Sequence, residues 1–477
     1  MPPPVYRSAP PAVRKPSTVG RNSALILAFF MVLALPAVAV GGMAITQRWI
    51  VPEASQTVAP SVFITPTPKP LPIPDAADPA PQCLADALGQ VKAQSGTMTG
   101  QVRGVPSDAV LWDNNANKPQ QPASNEKLLT ALALVDALGA GALETTYTTS
   151  VVTPSNNRII LVGGGDPYLA SSSKTAKLGQ PATLADLAKS TAQALQASGQ
   201  TSVSLGFDAS AFTGPSWNPN WHADDNVDVT DVSALWADQG RTPASNGTVP
   251  HVGSKTPAAD AAKLFAAQLK TQGIKVTSVD NTSSAAPAGA KVVASIQSLP
   301  LRAILSHALL VSDNSAMEVL LRHLAITDGK PATFKDGAAA VESWLVGLGL
   351  GAPGLNIDDG CGLARSNEVP AATLAGAVAW AGAQEGPVRE VLTLLPVAGV
   401  SGSLSARFQV TASAGARGLV RAKTGTLNNV STLTGYTVTD QGQVLAFTFM
   451  IGNSPQATSD RTGWLDKLAA TLTTSRC

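Results

Sequence analysis

Charge is scarce in this chain: 14% of its 477 residues are Asp, Glu, Lys or Arg, and they nearly cancel to a net +1. No basic footprint of the kind that holds nucleic acid is therefore present, nor an acidic tail. Aromatics are few, at 5%, while Ala, Gly, Thr and Pro abound, a balance of globular rather than fibrous proteins. The four histidines, His222, His251, His307 and His323, are scattered, and neither C-x-x-C nor H-E-x-x-H occurs. That excludes the usual metal-site signatures, so no metal is expected. The three cysteines, Cys83, Cys361 and Cys477, allow one disulfide in an oxidising compartment and leave one thiol over. No repeat of fixed period is found.

What is present begins with residues 24–45, a run without a charge and about the ~20 residues a helix needs to span the hydrocarbon core. Arg7, Arg14, Lys15 and Arg21 precede it with no acidic residue, which places residues 1–23 in the cytoplasm as a tail. A cleaved signal peptide is the alternative, but its apolar region is normally ~7–15 residues. The expectation is an uncleaved single-pass anchor with the rest of the chain extracytoplasmic; the alternative is secretion after cleavage. Residues 46–82 are rich in proline and read as a semi-rigid linker.

Beyond the linker, residues 84–92 have an amphipathic helical pattern, and residues 97–103 and 109–113 read as a hairpin. Ser124 falls at the start of an apolar helix that Gly139 and Gly141 stop. Near the C-terminus, residues 418–422, 430–438 and 444–451 read as strands and residues 462–472 as a helix. A sheet built from the early hairpin and the late strands would bring the chain ends together. Cys83–Cys477 is the pairing this proximity favours. Residues 145–295 carry enough short periodic segments for an inserted domain, so that residues 83–144 and 296–477 form the main one.

Three short patterns follow one another: Ser124-x-x-Lys127, Ser312-Asp313-Asn314 and Lys423-Thr424-Gly425. The set is associated with penicillin-binding proteins and class A β-lactamases. Its chemistry follows from the residue types. A serine hydroxyl needs a base, and a lysine three positions on lies on the same helix face. A free lysine has a pKa of about 10.4; burial and a second cation, here Lys423, would favour the neutral amine that can take a proton. Ser312 is placed to relay protons to a leaving amine, and Asn314 can donate to and accept from a peptide backbone. Lys423 and the hydroxyls of Thr424 and Thr426 suit a terminal carboxylate, and Gly425 leaves room for an extended peptide along the strand. The backbone N–H groups of Ser124 and Thr426 are candidates for an oxyanion hole.

Each pattern alone is weak. Ser171 and Lys174 also match the first, and Ser155 with Asn157 the second. Ser124 alone reads as a helix cap, and Ser312 with Asn314 as the cap of the next helix. The order and context of all three carry the assignment.

At these residues the chain resembles the class C low-molecular-mass penicillin-binding proteins, serine peptidases of the S13 type. The likeness extends over residues 84–476 and includes Leu161-Val162-Gly163-Gly164-Gly165-Asp166-Pro167, Val232-Ser233-Ala234-Leu235, Asp238-x-Gly240-Arg241 and Asp359-Gly360-Cys361-Gly362-Leu363. It implies an α+β fold: a transpeptidase/β-lactamase-like domain, with an antiparallel five-stranded sheet flanked by helices, interrupted by a large inserted domain. It implies D-alanyl-D-alanine carboxypeptidase or endopeptidase activity on peptidoglycan stem peptides, no cofactor, and acylation by β-lactams. Ser124 would be the nucleophile, Lys127 the base and Ser312 the second catalytic hydroxyl; Asn314, Lys423, Thr424, Gly425 and Thr426 would bind substrate. One departure stands out: the family has Ser where this chain has Cys361. The expected reading is a small structural substitution; the alternative is an oxidisable thiol at the rim.

A class A β-lactamase would need a Glu-x-x-x-Asn element between the second and third patterns, and none occurs there. A slow, peptidoglycan-binding scaffold is the other reading that stays open.

Overall fold

The computed structural model describes residues 76–155, 157–176, 178–243, 249–250 and 252–477. The apolar run at 24–45 and most of the Pro-rich segment lie outside these residues. Among the described residues no helix is long and apolar enough to cross a membrane.

Helix α1 (Pro81–Gly89) leads into strands β1 (Thr97–Val105) and β2 (Val110–Asn114). A 3-10 turn, Ala123–Asn125, opens helix α2 (Glu126–Leu138), whose first ten residues are all buried. Then come β3 (Thr148–Ser155), β4 (Arg158–Val162), α3 (Leu184–Ala197), β5 (Ser202–Asp208), α4 (Pro257–Thr271), β6 (Lys275–Val279) and β7 (Lys291–Gln297). Helices α5 (Leu301–Val311), α6 (Asn314–Thr327), α7 (Phe334–Gly347) and α8 (Ala371–Ala383) follow. The chain closes with β8 (Arg421–Leu427), β9 (Val430–Val438), β10 (Val444–Gly452) and α9 (Thr458–Thr474).

The early hairpin and the three late strands form one antiparallel five-stranded sheet, ordered β8-β9-β10-β1-β2. Its middle strand, β10, is buried along almost its whole length, as a strand covered on both faces must be. Leu433, Phe447, Phe449 and Ile451 pack under Trp464 and Leu465 of α9, with Leu84 of α1 in the same cluster. The opposite side belongs to a larger core in which α2, α5, α6, α7 and α8 share their apolar residues. Cys83 and Cys477 are disulfide-bonded and tie α1 to the tail behind α9. The proximity argument for that pairing holds.

A second sheet, ordered β6-β5-β4-β3-β7, is mixed: β6, β5 and β4 run parallel, and β3 is antiparallel to both its neighbours. It has its own core against α3 and α4, built on Leu187, Leu205, Phe265 and Leu269. The segments of this sheet all lie between Thr148 and Gln297.

Two sequence expectations shift. The strand expected at 418–422 is β8, Arg421–Leu427, so the Lys423-Thr424-Gly425 pattern sits inside the strand. The pairing of Leu427 with Val430 across Asn428 and Asn429 makes a two-residue hairpin turn, which lets both strands run up to it. The last helix starts at Thr458, earlier than its apolar periodicity indicates, because its first turn is polar.

Candidate active site

Two strained turns meet at the edge of the five-stranded sheet. Ala123, just before Ser124, has φ 49°, and Ser312 has φ 61° and ψ 45°. Left-handed backbone costs a non-glycine residue about 1–2 kcal/mol and is concentrated at functional sites. At the first turn, Thr432 donates to the Pro122 carbonyl at 2.8 Å and Asn125 to Thr434 Oγ1 at 2.8 Å, pinning the turn to β9. Ser124 makes no cap to α2. At the second turn the cap of α6 is Asp313, which accepts from the Ala316 N–H. Capping is thus done by the residue between them, and Ser312 and Asn314 stay half-buried in the cleft wall.

The cleft has a volume of ≈ 740 Å³, and Ser124, Ser312, Asn314 and Thr426 all line it. Lys127 and Lys423 lie beneath its floor, both fully buried. The Lys127 amine touches three groups: Ser124 Oγ at 2.9 Å, Asn314 Oδ1 at 2.6 Å and the Cys361 carbonyl at 2.6 Å. The Lys423 amine donates to Ser312 Oγ at 2.9 Å and to the Thr424 carbonyl at 2.9 Å. Burial pushes the pKa of both amines down. For Lys127, Cys361, Asp359, Glu318 and Asp313 work against that shift wherever they are ionised. For Lys423 the Lys127 charge adds to burial, and its pKa falls well below the usual lysine value. The repulsion belongs to the pair, since a proton on either amine disfavours one on the other.

For three of the expected substrate-binding residues the fold adds contacts within the protein. The Thr424 hydroxyl is paired with Ser403 Oγ at 2.7 Å, and Thr424 is not among the cleft-lining residues. It is Thr426 that faces the cleft. Gly425 makes room for protein rather than peptide: a Cβ there would meet Thr432 Oγ1 at 2.1 Å and the Pro122 carbonyl at 2.9 Å. Asn314 is engaged at both ends of its amide, because its Nδ2 donates to the Asp228 carbonyl at 3.0 Å. Strand β8 is an edge strand. Its Leu427/Val430 closing pair turns the odd-numbered residues toward β9, leaving the Thr426 N–H on the free edge.

The loop behind Lys127 carried no signal of its own beyond the family likeness. Five N–H groups converge on the Asp359 carboxylate, from Trp221, Gly362, Leu363, Ala364 and Asn367, at 2.7–3.0 Å. They fold the loop so that its Cys361 carbonyl reaches the amine. Gly362 (φ 81°) closes the loop onto the nucleophile turn, where any Cβ would overlap the Ala123 carbonyl at 1.8 Å. The Cys361 thiol is fully buried, not at the rim, and burial first, then the Asp359 and Glu318 charges, raise its pKa well above the ordinary thiol value. A backbone carbonyl such as that of Cys361 or Asp228 leaves no trace in residue type. Glu318 does leave one, four positions after Asn314 on the same helix face.

The sequence model of the D-Ala-D-Ala carboxypeptidase 3 (S13) family matches residues 81–254 and 243–472. A carboxypeptidase of Mycobacterium tuberculosis is 34% identical over 409 residues, covering 83% of this chain and 85% of that protein. The carboxypeptidase DacB of Mycolicibacterium smegmatis is 34% identical over 410 residues, covering 84% and 86%. Among solved structures, penicillin binding protein 4 of Haemophilus influenzae superposes with a TM-score of 0.66 at 20% identity, over 82% of this chain and 98% of that one, a likeness of fold. With the family match spanning nearly the whole described region and two relatives aligned over most of their length, this chain belongs to the D-Ala-D-Ala carboxypeptidase 3 (S13) family of serine peptidases.

Proposed function

We propose that the chain is a D-alanyl-D-alanine carboxypeptidase or endopeptidase that cleaves peptidoglycan stem peptides through an acyl-enzyme on Ser124, and that β-lactams acylate the same hydroxyl. The environment of the Lys127 amine carries this reading. A neutral amine has two N–H bonds and one lone pair. The Asn314 and Cys361 oxygens, each at 2.6 Å, take the two hydrogens, and the lone pair is left for the Ser124 hydroxyl at 2.9 Å. That is the arrangement of a base bonded to its nucleophile.

In this mechanism Ser124 Oγ attacks the carbonyl of the penultimate D-Ala while its proton passes to Lys127. The Ser124 and Thr426 N–H groups receive the developing oxyanion. The proton then reaches the leaving amine through Ser312, the C–N bond breaks, and water later cleaves the ester. Lys423 and the Thr426 hydroxyl hold the substrate carboxylate, whose negative charge favours a proton on Lys423. Once Lys423 is charged, a second proton on Lys127 is disfavoured, so substrate binding itself readies the base. The Haemophilus influenzae protein has been solved complexed with a β-lactam, which supports binding of this class of inhibitor. We further propose an extracytoplasmic location, anchored by residues 24–45; the Cys83–Cys477 disulfide is in keeping with an oxidising compartment.

Labelling with a fluorescent penicillin followed by mass spectrometry tests the reading. The adduct is expected on Ser124 and absent from Ser124→Ala, and the wild type is expected to release D-Ala from a peptide ending in D-Ala-D-Ala. A label on another residue removes the mechanism. Labelling without product release favours the scaffold reading, and rapid β-lactam turnover a β-lactamase.

A further inference from the structure

Behind the Lys127 amine lies a buried group whose side chains the mechanism above does not use. Glu126, Glu318, Asp359 and Cys361 are all fully buried there. Among the described residues, both carboxyl oxygens of Glu126 and Oε2 of Glu318 lack a hydrogen-bond partner. Ligand atoms of Glu318, Asp359 and Cys361 lie within 4.8 Å of one another, but the five N–H donors on Asp359 leave it no lone pair to offer a cation. The cluster therefore serves the protein's own groups.

Helix α6 reaches the amine twice. Asn314 touches it directly through Oδ1. One turn further on, Glu318 Oε1 accepts the Gly360 N–H at 2.9 Å, and the next residue in the loop supplies the Cys361 carbonyl that accepts from Lys127. Helix α2 grips the same loop from the other side, with Thr130 Oγ1 donating to the Gly360 carbonyl at 3.0 Å. Without the Glu318 contact, the buried Gly360 N–H loses its acceptor and the loop its hold on that side.

We propose that Glu318 is a positioning residue for acylation: its carboxyl fixes the Gly360–Cys361 segment, whose carbonyl holds the Lys127 amine with its lone pair toward Ser124. The role rests on the acyl-enzyme reading above and deepens it. A carboxyl in this position has to be neutral to leave the base uncharged. Burial, with the Asp359 charge adding to it, raises Glu318 to about 8. The charged and titratable groups around it are Glu126 and Lys127 of α2, Asp359 and Cys361 of the loop, and Arg322 on its own helix; Glu342 of α7 acts on Glu126. Below about pH 8 Glu318 keeps its proton. Above that, its negative charge stabilises the Lys127 cation and works against the free base.

The test measures second-order acylation of the full chain by a fluorescent penicillin between pH 6 and 10, with the adduct mapped in every variant. In Glu318→Ala the rate is expected to fall roughly 10²-fold, the scale of a misplaced reacting group, with the label still on Ser124. Glu318→Gln offers Gly360 the same acceptor without the ionisation. It is expected to restore the rate to within about 3-fold at pH 7 and to gain on the wild type above pH 8. Unchanged acylation per folded molecule in Glu318→Ala, or no rescue by Gln, overturns the proposal. Should the Ala variant fail to fold, superimposable pH profiles for Gln and wild type overturn it by themselves. If wild type is not labelled on Ser124, the acyl-enzyme reading falls and this role with it; labelling on Ser124 with insensitive Glu318 variants sinks only the latter.

Discussion

His323 shows how burial fixes a charge state one residue at a time. Its ring stacks on Tyr147 at 3.8 Å and meets the edge of Phe212, while Nε2 lies 2.8 Å from the Gly165 carbonyl. Nε2 must therefore carry the hydrogen, and neutral imidazole suffices. Burial lowers its pKa to about 4, against a smaller upward pull from the Gly165 bond. Between about pH 6.5 and 4 the unfolded chain binds this proton and the folded chain does not. The contribution is thus complete above 6.5 and is lost as pH falls, by about 3 kcal/mol across the window. Asp166 acts in the opposite sense: burial raises it to about 7, so it weakens the fold as pH rises from 4 to 7. The two are separated by comparing denaturant midpoints of wild type and His323→Gln from pH 7 to pH 4. The variant is expected to be less stable at pH 7 but to lose less on acidification. Parallel curves would show that His323 takes up its proton alike in the folded and unfolded chains, and that burial does not hold it neutral.

At the scale of elements, the site depends on how closely β8 lies against the nucleophile turn. Gly425 faces Thr432 Oγ1, the Pro122 carbonyl and the Ala123 side chain, all within 3.0 Å of where a Cβ would sit. Gly425→Ala cannot be absorbed by a flexible side chain, because the Pro122 carbonyl is backbone and is also held by Thr432. The strand must move away from Ser124, carrying Lys423 and the Thr426 N–H with it. The expected result is a loss of acylation of roughly 10²-fold and about 1–3 kcal/mol of stability, read by penicillin labelling and thermal melting of one preparation. Wild-type labelling in a destabilised variant would mean that strand and turn need not touch. The sequence read this glycine as space for a substrate. It marked the residue but not the neighbour, because a close approach between segments some 300 positions apart has no local pattern. For the same reason Thr424 and Thr426 looked equivalent from the sequence; the fold separates them, pairing Thr424 with Ser403 and lining the cleft with Thr426. Strand and helix identities were legible because period-2 and period-3.6 patterns are local. Lys127 and Lys423 were legible through their motifs, yet the carbonyls that orient the first are backbone groups.

Across the whole molecule, the segments around the second sheet take part in the site as well as in their own core. Tyr168 follows the Gly163-Gly164-Gly165-Asp166-Pro167 stretch, and Gln239 sits within the Asp238-x-Gly240-Arg241 stretch. The two stretches carry the family resemblance, but it gives neither Tyr168 nor Gln239 a role. In the fold they converge: Tyr168 Oη donates to Asp313 Oδ2 at 3.2 Å and Gln239 Nε2 to the same oxygen at 3.0 Å. The other oxygen of Asp313 caps α6. Asp313 is thus held from both sides between Ser312, which accepts from Lys423, and Asn314, which accepts from Lys127. The Asp228 carbonyl and Thr230, from the same stretch of chain, take further bonds to Asn314 and Ser315. Removing both outer donors with Tyr168→Phe and Gln239→Ala leaves the helix cap intact while freeing the second oxygen. Two hydrogen bonds to a charged group, each about 1.5–3 kcal/mol when lost singly, are expected to be partly replaced by water at this half-buried site. The double variant should then fold and melt lower, and label with penicillin several-fold more slowly, with each single variant showing less than half of the loss because the remaining donor still holds the shared acceptor. A lower melting point with an unchanged acylation rate would confine these segments to holding the fold, and the Ser312–Asn314 turn would have to be set by α5 and α6 alone.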